Sequence, residues 1–490
     1  MNKNLDIIEK AKSIFLDGLN SFQKENFETA EKKFLEVLEL VPDRLSAIHN
    51  LISLYIATND KNKLKELLTK YNHLNHEKEI IYGVAYHYFF ENKYSDSIKL
   101  CNELIKEKNF QLSAFDLLAS NFKKKKLFLD ALKIYKLKLK QKKDYLTYYN
   151  IGCLFRELGR IYKAIYYFNK SKNYKDNYIP NLWNLSLCQL RLGQFKEGFS
   201  LYEYRWSKKR QSPLIKKFID LKTPKNLDEI KNKNVLISDE QGLGDAIQFS
   251  RFVIDLLKYT NKITFAVNSK LVKLLSNLHK DINILDYENI NLDKYDYHLS
   301  LCSLPKILEL KKIDEINFYP IEIINENNFK FESKNKLNIG ISWSGNPNYS
   351  FDEYRSIPFR NFESILRLED INFYKLSQDN KLGEYLDYKS LPNLTDFGDK
   401  SIYEISEIMS QLDLVISSDT SIIHLAGILN VKSILLLNFN SDWRWFNDTK
   451  KTIWYPSVHI IKQKNFDSWE NVFVELETKL KELIYKKKGQ

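Results

Sequence analysis

The sequence predicts a multidomain protein in which an all-α superhelix of repeated helix pairs precedes two α/β domains of the Rossmann-like type. Three observations carry this prediction. A motif recurs at intervals of about 34 residues in the first part of the chain. After residue 213, short apolar strands alternate with amphipathic helices, which is typical of parallel sheets. A polar and irregular segment, residues 311–335, divides these strands into two series.

The repeated motif is clearest in residues 11–44. There Gly18, Ala30, Phe34 and Pro42 hold the small, small, aromatic and proline positions of a tetratricopeptide repeat. Further copies are expected at residues 45–78, 78–111, 112–145, 145–178 and from Ile179 onwards. One helix pair cannot bury its apolar face alone, so about six units should stack into a tetratricopeptide superhelix over residues 1–212. Its groove is typical of proteins that bind an extended peptide or another protein.

The α/β part is predicted to form two halves, residues 213–332 and residues 333–490. Strands are expected at residues 234–238, 263–267, 282–286, 297–301, 337–343, 371–377, 413–418 and 433–439. Helices are expected at residues 246–259, 270–278, 362–368, 403–412 and 422–429. Two Rossmann-like halves joined by a linker define the GT-B architecture. Its ligands bind in the cleft between the carboxyl ends of the two sheets.

Composition narrows the classes of function. The net charge is +12, but the 75 Lys and Arg residues are spread along the chain, so we expect no nucleic-acid partner. Scattered cysteines and histidines predict no metal site. No apolar stretch is long enough for an integral membrane segment, and the N-terminal residues lack a secretory-signal pattern, which favours the cytoplasm. Basic helix faces leave peripheral membrane association open.

Residues 238–252, SDEQGLGDAIQFSRF, place two glycines at a strand-to-helix turn in a chain with only 14 glycines. Around Gly242, Gly244 and Gln248 the backbone is expected to approach a ligand closely, and the helix start offers N–H groups to an anion. A dinucleotide is not favoured, because the third glycine of its motif is missing and a carboxylate would repel pyrophosphate. Asp245 has two interpretations: a base that accepts a hydroxyl proton, and a helix cap.

Two further strand ends carry small polar side chains. Residues 415–427, VISSDTSIIHLAG, combine hydroxyls with the free N–H groups of a helix start, which predicts an anion site. Residues 340–347, GISWSGNP, run from a strand into a glycine-containing loop, for which an ordinary turn is the alternative. The expected ligand-binding residues are Ser344, Gly345, Asn346, Ser418, Asp419, Thr420, Ser421 and His424.

The segment NFNSDWRWFNDTKKTIWYP, residues 438–456, holds three of the seven tryptophans and follows a strand end. Arg444 suits a diphosphate, and Trp443 suits stacking on a base or sugar ring. Packing beneath a long loop is the alternative interpretation of these side chains.

Four stretches occur in the order found in one enzyme family: GLGDAIQF (242–249), GISWSGNPNYSFDEYRSIP (340–358), SSDTSIIHLAG (417–427) and SDWRWFNDTKKTIWYP (441–456). On these stretches the chain resembles bacterial tetratricopeptide proteins with a C-terminal domain related to glycosyltransferase family 9, the heptosyltransferases. The resemblance implies an inverting GT-B enzyme that takes a nucleotide-diphosphate sugar as substrate and needs neither a cofactor nor a bound metal.

The same resemblance implies roles for individual residues. Asp245 would be the base, and the donor would be held by Asp419, Thr420, Ser421 and His424. Arg355 lies in a loop where the family tends to have a basic residue. Ser421 stands where heptosyltransferases usually have glycine, and the W-R-W loop replaces their usual loop. The donor is therefore left open between ADP-heptose and the UDP-GlcNAc of the similarly built protein O-GlcNAc transferases.

Together these patterns predict a glycosyltransferase that moves a sugar from a nucleotide-diphosphate donor to a hydroxyl of a protein or glycan acceptor. The repeats would recruit the protein acceptor or another protein partner. One alternative is a non-catalytic tetratricopeptide scaffold with a degenerate transferase domain. Another is a lipid or polysaccharide transferase whose repeats tether it to a membrane complex.

Overall fold

The computed structural model describes residues 2–106, 111–207, 218, 221–327, 329, 331, 335–348, 352–376, 391–447, 450, 452–466 and 468–488. Contacts divide the chain into two compact units. The first comprises Met1–Leu158 with Asn173–Lys175, and the second comprises Gly159–Lys172 with Asp176–Gln490.

The first part of the chain forms antiparallel helix pairs of the tetratricopeptide type. The helices are α1 (Asn2–Gln23), α2 (Phe27–Leu40), α3 (Leu45–Ala57), α4 (Lys61–Lys70), α5 (Lys78–Phe90), α6 (Tyr94–Leu104), α7 (Gln111–Lys124), α8 (Phe128–Gln141), α9 (Tyr145–Glu157), α10 (Ile161–Tyr174), α11 (Ile179–Arg191) and α12 (Phe195–Tyr202). They make six pairs within the described ranges. The predicted fold class of this part is confirmed.

Residues of the repeat motif form the contacts between paired helices. Ala30 and Phe34 of α2 are fully buried. A Cβ on Gly18 of α1 would lie 2.8 Å from Phe34 Cε1, so the ring needs a residue without a side chain at that position. Asn26 caps α2 by accepting a hydrogen bond from the N–H of Thr29. In this pair a small residue therefore faces an aromatic ring, which lets the two helices approach closely.

The second unit contains two parallel sheets. The strands of the first are β1 (Val235–Ser238), β2 (Ile263–Val267), β3 (Ile282–Asp286) and β4 (Tyr297–Ser300), in the order β3-β2-β1-β4. Its helices are α13 (Leu243–Leu256), α14 (Ser269–Leu275) and α15 (Leu304–Ile307). Every strand pair of this sheet is parallel, as crossover helices require.

The second sheet has six parallel strands. They are β5 (Leu337–Ser342), β6 (Ile371–Lys375), β7 (Leu394–Asp396), β8 (Leu414–Ser417), β9 (Ser433–Leu437) and β10 (Val458–Lys462), in the order β10-β9-β8-β5-β6-β7. Its helices are α16 (Asp352–Arg355), α17 (Glu363–Leu366), α18 (Ile402–Met409), α19 (Ser421–Ile428) and α20 (Glu470–Lys488). The strand order reverses between β5 and β8, and such switch points are where open α/β sheets bind ligands. The two α/β halves of the predicted fold class are confirmed.

The structure differs from the sequence prediction in several elements. Helix α13 begins at Leu243, three residues before the predicted start, so Asp245 lies inside its first turn. Strands β7 and β10 and helices α15, α16 and α20 were not predicted. The predicted boundaries at 212/213 and 332/333 lie outside the described residues. Contacts place the last helix pair with the α/β unit, because Phe199 and Tyr202 pack on Trp443.

The described helices include none that is both long and apolar enough to cross a membrane.

Candidate functional site

Two strand-to-helix turns, one from each sheet, meet in the second unit. Gly244 lies at the start of α13 after β1, and Ser421 and His424 lie at the start of α19 after β8. A Cβ on Gly244 would lie 3.3 Å from Ser421 Cα and 2.9 Å from His424 Cδ2. The absence of a side chain at residue 244 therefore lets the two helix starts pack directly on one another.

Asp245 uses both carboxylate oxygens. Its Oδ2 accepts a hydrogen bond of 3.0 Å from the N–H of Gly242, which is the capping interaction that the sequence left open. Its Oδ1 accepts a charge-assisted hydrogen bond from Arg444 Nη2. The side chain remains 24% exposed. A ligand can therefore reach the carboxylate, but a base at this position first has to be released from Arg444.

Arg444 is buried between the two sheets and bonds three side chains. Besides Asp245, it donates from Nε to Gln248 Oε1 at 2.9 Å and from Nη1 to Asp442 Oδ1 at 2.8 Å. Its guanidinium lies 4.7 Å from the ring centroid of Trp443. Burial alone would lower the pKa of Arg444, but the carboxylates of Asp245 and Asp442 raise it well above its usual value. The side chain therefore stays a cation.

Gln248 is fully buried on α13, one turn after Asp245. Within the described residues its Nε2 has no hydrogen-bond partner. A buried amide donor without a partner costs free energy, so this group is available to a ligand oxygen or a bound water.

His424 is held neutral and oriented. Burial, and next the charge of Arg444, lower its pKa well below 6.5. Its Nδ1 lies 3.0 Å from Tyr455 Oη, and its ring stacks on Trp445 with centroids 5.3 Å apart. The guanidinium of Arg251 also lies 5.0 Å from the ring centroid of Tyr455. In the tautomer whose Nδ1 accepts the tyrosine proton, the imidazole proton is on Nε2, where it can be donated to a ligand.

The turn between β8 and α19 carries hydroxyls at a helix start. Thr420 precedes the first turn of α19, and its Oγ1 lies 3.2 Å from Ser417 Oγ. Ser418 is fully buried, and its Oγ has no partner within the described residues. Burial, and then the nearby Asp442 carboxylate, raise the pKa of Asp419 to about 6. Unpaired donors at a helix start favour an anion.

The loop after β5 is tied to this turn through Arg355. Arg355 donates from Nη1 to the backbone oxygen of Asp419 at 3.0 Å and from Nε to Asp352 Oδ1 at 3.2 Å. Gly345 donates its N–H to Ser356 Oγ at 3.3 Å. The predicted loops are therefore in contact. Within the loop after β5, Ser344 is buried and Asn346 is exposed.

In the W-R-W segment the tryptophans and the arginine have different roles. Trp443 and Trp445 are 3% and 1% exposed and belong to the apolar core of the second unit. The suggested stacking of Trp443 on a ligand is therefore replaced by packing against Phe199, Tyr202 and Phe249. Arg444, between the two indoles, is the residue that reaches the site.

Sequence reasoning missed Arg251, Asp442 and Tyr455, which orient His424 and Arg444. One signal was present: only 11 of the 75 basic residues are arginine. In a lysine-rich chain, the few arginines mark positions that need a planar, multidentate cation.

The described residues hold no group of three His, Cys, Asp or Glu side chains arranged for a metal ion.

Fold and site together define a protein with tetratricopeptide helix pairs and two Rossmann-like sheets whose strand-to-helix turns contact each other. No protein-family profile matches the chain. The protein FlbA of Caulobacter vibrioides is 21% identical over 326 residues, which is 60% of this chain and 53% of FlbA. The chain thus spans about half the length of this curated relative.

Among solved structures, the bacterial iron-containing dodecameric glycosyltransferase TibC of enterotoxigenic E. coli H10407 is 14% identical, with a TM-score of 0.36. The match covers 52% of this chain and 76% of TibC. PilF of Pseudomonas aeruginosa is 13% identical with a TM-score of 0.33, over 41% of this chain and 90% of PilF. At these TM-scores neither likeness carries functional information.

Proposed function

We propose that the protein is a glycosyltransferase that moves a sugar from a nucleotide-diphosphate donor to an acceptor hydroxyl. The observation that carries this proposal is the direct packing of the α13 start on the α19 start. Gly244 lies against Ser421 and His424, which brings a carboxylate beside a hydroxyl-rich anion site. Sugar transfer needs this pair of groups, because a hydroxyl must lose a proton while a diphosphate leaves.

The donor diphosphate binds at the start of α19. The N–H groups there, the unpartnered Ser418 Oγ and the Nε2–H of His424 are neutral donors for its oxygens. Arg444 supplies the positive charge, and Arg355 supports the turn from the other side. Donors and charges held in place before the reaction stabilise the leaving group without reorganisation.

Asp245 is the proposed base. When the diphosphate engages Arg444, the carboxylate is freed and takes the proton of the acceptor hydroxyl. The oxygen then attacks the anomeric carbon from the face opposite the phosphate, the sugar–phosphate bond breaks, and the nucleoside diphosphate leaves with the electron pair. In-line attack inverts the anomeric configuration, and no metal is required because Arg444 and the helix start carry the charge.

Finer assignments follow from the family-9 resemblance. Both ADP-heptose and UDP-GlcNAc remain donors to be tested, since Ser421 and the W-R-W loop depart from the heptosyltransferase pattern. We propose that the repeats recruit a protein acceptor or partner in the cytoplasm, since such repeats commonly bind extended peptide.

Two measurements test the proposal. The first is titration calorimetry with a panel of nucleotide sugars, and the second is mass spectrometry of co-expressed proteins. We expect one donor to bind and one acceptor to gain the mass of its sugar. Asp245→Asn should lower transfer by about 10²–10⁴-fold. Asp314→Asn, which changes an exposed carboxylate of the same unit, should leave transfer unchanged.

A non-catalytic scaffold is the second candidate, and the closed Asp245–Arg444 pair favours it because both oxygens of the base are occupied. Failure of every nucleotide sugar to bind, or full transfer by Asp245→Asn, would exclude the proposed mechanism.

A further inference from the structure

A cavity lies at the carboxyl ends of β9 and β10, beside the loop after β5. Its volume is about 170 Å³. This volume is close to the roughly 150 Å³ cavity that accepts a benzene ring, and well below the roughly 300–1,000 Å³ of a pocket for a drug-sized ligand. The cavity therefore fits one six-membered ring. Its principal lining residues are Tyr354, Asn438, Phe439, Gln463, Phe466 and Trp469.

One side of the cavity is aromatic. The ring of Phe466 lies edge-on to that of Phe439, with centroids 6.4 Å apart, and 6.3 Å from the ring of Tyr354. These three rings are only partly buried, so each keeps surface available to a ligand. Aromatic faces of this kind pack against the C–H groups of a ring.

The other side is polar, and two of its atoms have no partner. Asn438 donates from Nδ2 to the backbone oxygen of Asn440, and Gln463 accepts at Oε1 from the N–H of Phe439. Within the described part of the chain, Asn438 Oδ1 and Gln463 Nε2 form no hydrogen bond and are not fully enclosed, so solvent or a ligand can reach them. The cavity thus presents one acceptor and one donor that an apolar ring would leave unpaired.

The cavity adjoins both the donor loops and the last repeats. Ser356, which lines it, accepts the N–H of Gly345 in the loop after β5. Asn440, which also lines the cavity, accepts a 2.9 Å hydrogen bond from Arg191 at the end of α11. A Cβ on Gly159, in the turn before α10, would lie 3.7 Å from Phe439. The walls of the cavity therefore contact both the last repeat helices and the loop after β5.

We propose that the cavity binds one monosaccharide ring of the acceptor. This inference rests on the proposed transferase function, since only then does the chain have a sugar-bearing acceptor. A pyranose ring offers C–H faces to the aromatic side and hydroxyls that both donate and accept to the polar side. It therefore satisfies Asn438 Oδ1 and Gln463 Nε2 at once, which a hydrocarbon side chain does not.

The test uses the full chain and a panel of methyl glycosides, with binding followed by saturation-transfer NMR and without any donor or turnover. At least one glycoside should bind, and Phe466→Ala should weaken it by about tenfold or more, the loss expected for one ring contact. Phe318→Ala, at a similarly half-buried phenylalanine outside the cavity, should change it by less than about twofold. Gln463→Glu keeps the hydrogen bond from the N–H of Phe439 but removes the free amide donor. If Phe466→Ala does not fold, weaker glycoside binding by Gln463→Glu therefore tests the same proposal.

Competition experiments show whether the ring that binds in the cavity comes from the acceptor or from the donor. We expect that the bound glycoside is displaced neither by the nucleotides UDP and ADP nor by their sugar conjugates. Displacement by UDP or ADP would place the donor base in the cavity, displacement only by a nucleotide sugar would place the donor sugar there, and either result overturns the proposal. So does a folded protein that binds no glycoside, or unchanged binding by both variants. Because glycoside binding is measured without turnover, its outcome is independent of the transfer assay. A protein that binds glycosides but transfers no sugar would refute the proposed enzyme and leave a sugar-binding cavity.

Discussion

Arg444 and Asp245 join the two sheets of the second unit through a hydrogen bond from Nη2 to Oδ1. Asp245 follows β1 of the first sheet, and Arg444 follows β9 of the second, 199 residues later. The same arginine is a buried cation close to the start of α19, because its charge lowers the pKa of His424. In the proposed mechanism a donor therefore competes with Asp245 for Arg444, so donor binding and release of the base are coupled.

Removal of the Asp245 carboxylate should separate donor binding from base catalysis. In Asp245→Ala, Arg444 no longer has to leave a carboxylate, and a charged hydrogen bond is worth about 1.5–3 kcal/mol. We expect the nucleoside diphosphate of the true donor to bind at least about tenfold more tightly while transfer is lost. Calorimetry with UDP and ADP measures the change. Equal affinity in wild type and variant would show that Arg444 does not contact the diphosphate.

Gly244→Ala tests the contact between the two helix starts. The new Cβ would lie 3.3 Å from the backbone of Ser421 and 2.9 Å from the ring of His424, which is held by Tyr455 and Trp445. Since these neighbours cannot move freely, we expect a loss of about 1–3 kcal/mol in the free energy of unfolding of the second unit. Urea unfolding followed by tryptophan fluorescence isolates this unit, because all seven tryptophans lie in it.

Gly242→Ala is the matched control. A Cβ there would meet only Asp245 Oδ2, at 3.3 Å, and the φ of Gly242 is −80°, which alanine adopts without strain. Its unfolding free energy should fall by less than about 1 kcal/mol, because the N–H of residue 242 still bonds Asp245 and only the preference for glycine over alanine at the N-cap is lost. If both variants lost the same free energy, close packing at residue 244 would not be the cause.

The repeats and strand ends were predictable because their signals are local. Ala30 and Phe34 recur at a fixed spacing, and Val235–Ser238 and Leu414–Ser417 are apolar runs that end in polar turns. Parallel topology then brings the turns to one edge of each sheet. The positions of Asp245 and Ser421 at helix starts follow from these patterns alone.

The pairing of Asp245 with Arg444 was not predictable, because it depends on how one sheet packs on the other. The sequence pattern assigned Arg444 to the diphosphate and left Asp245 with a base or a cap as alternatives, whereas the structure joins the two. Likewise, nothing in the pattern around Tyr455 indicates that it orients His424. Side-chain partners across a domain cleft are tertiary properties, and local periodicity does not encode them.

His298 should make the stability of the second unit depend on pH. It is buried on β4, its Nε2 lies 2.9 Å from Ser238 Oγ, and burial lowers its pKa to about 4 from 6.5. Below pH 6.5 the unfolded chain binds a proton at this residue that the folded chain does not, so the free energy of unfolding falls as the pH falls. Between pH 7 and pH 5 this contribution amounts to about 2 kcal/mol.

His298→Asn removes the titration and keeps a polar side chain. The difference in unfolding free energy between wild type and variant should therefore shrink by about 2 kcal/mol when the pH is lowered from 7 to 5. Asp239, whose pKa burial raises to about 7, has the opposite dependence, but it is present in both proteins and cancels in the difference. A difference that does not change with pH would mean that His298 is protonated in the folded state.

Arg205 forms a buried ion pair that links the segment after α12 to the first sheet. Its Nε and Nη2 each lie 3.0 Å from one oxygen of Glu240, and the two side chains are 5% and 2% exposed. Arg205→Met leaves the Glu240 carboxylate buried without its cation. Since an unpaired buried charge is costly, we expect the free energy of unfolding to fall by about 3–5 kcal/mol.

Two further variants identify the cause of that loss. Arg367→Met breaks the pair with Glu363, whose arginine side chain is 72% exposed, and should cost no more than about 1 kcal/mol. If the uncompensated charge is responsible, adding Glu240→Gln to Arg205→Met should recover part of the stability, because the neutral amide still accepts the N–H of Cys302. If the double variant were less stable than Arg205→Met alone, removal of the buried charge would not have restored stability. The loss of unfolding free energy in Arg205→Met would then be due to altered packing.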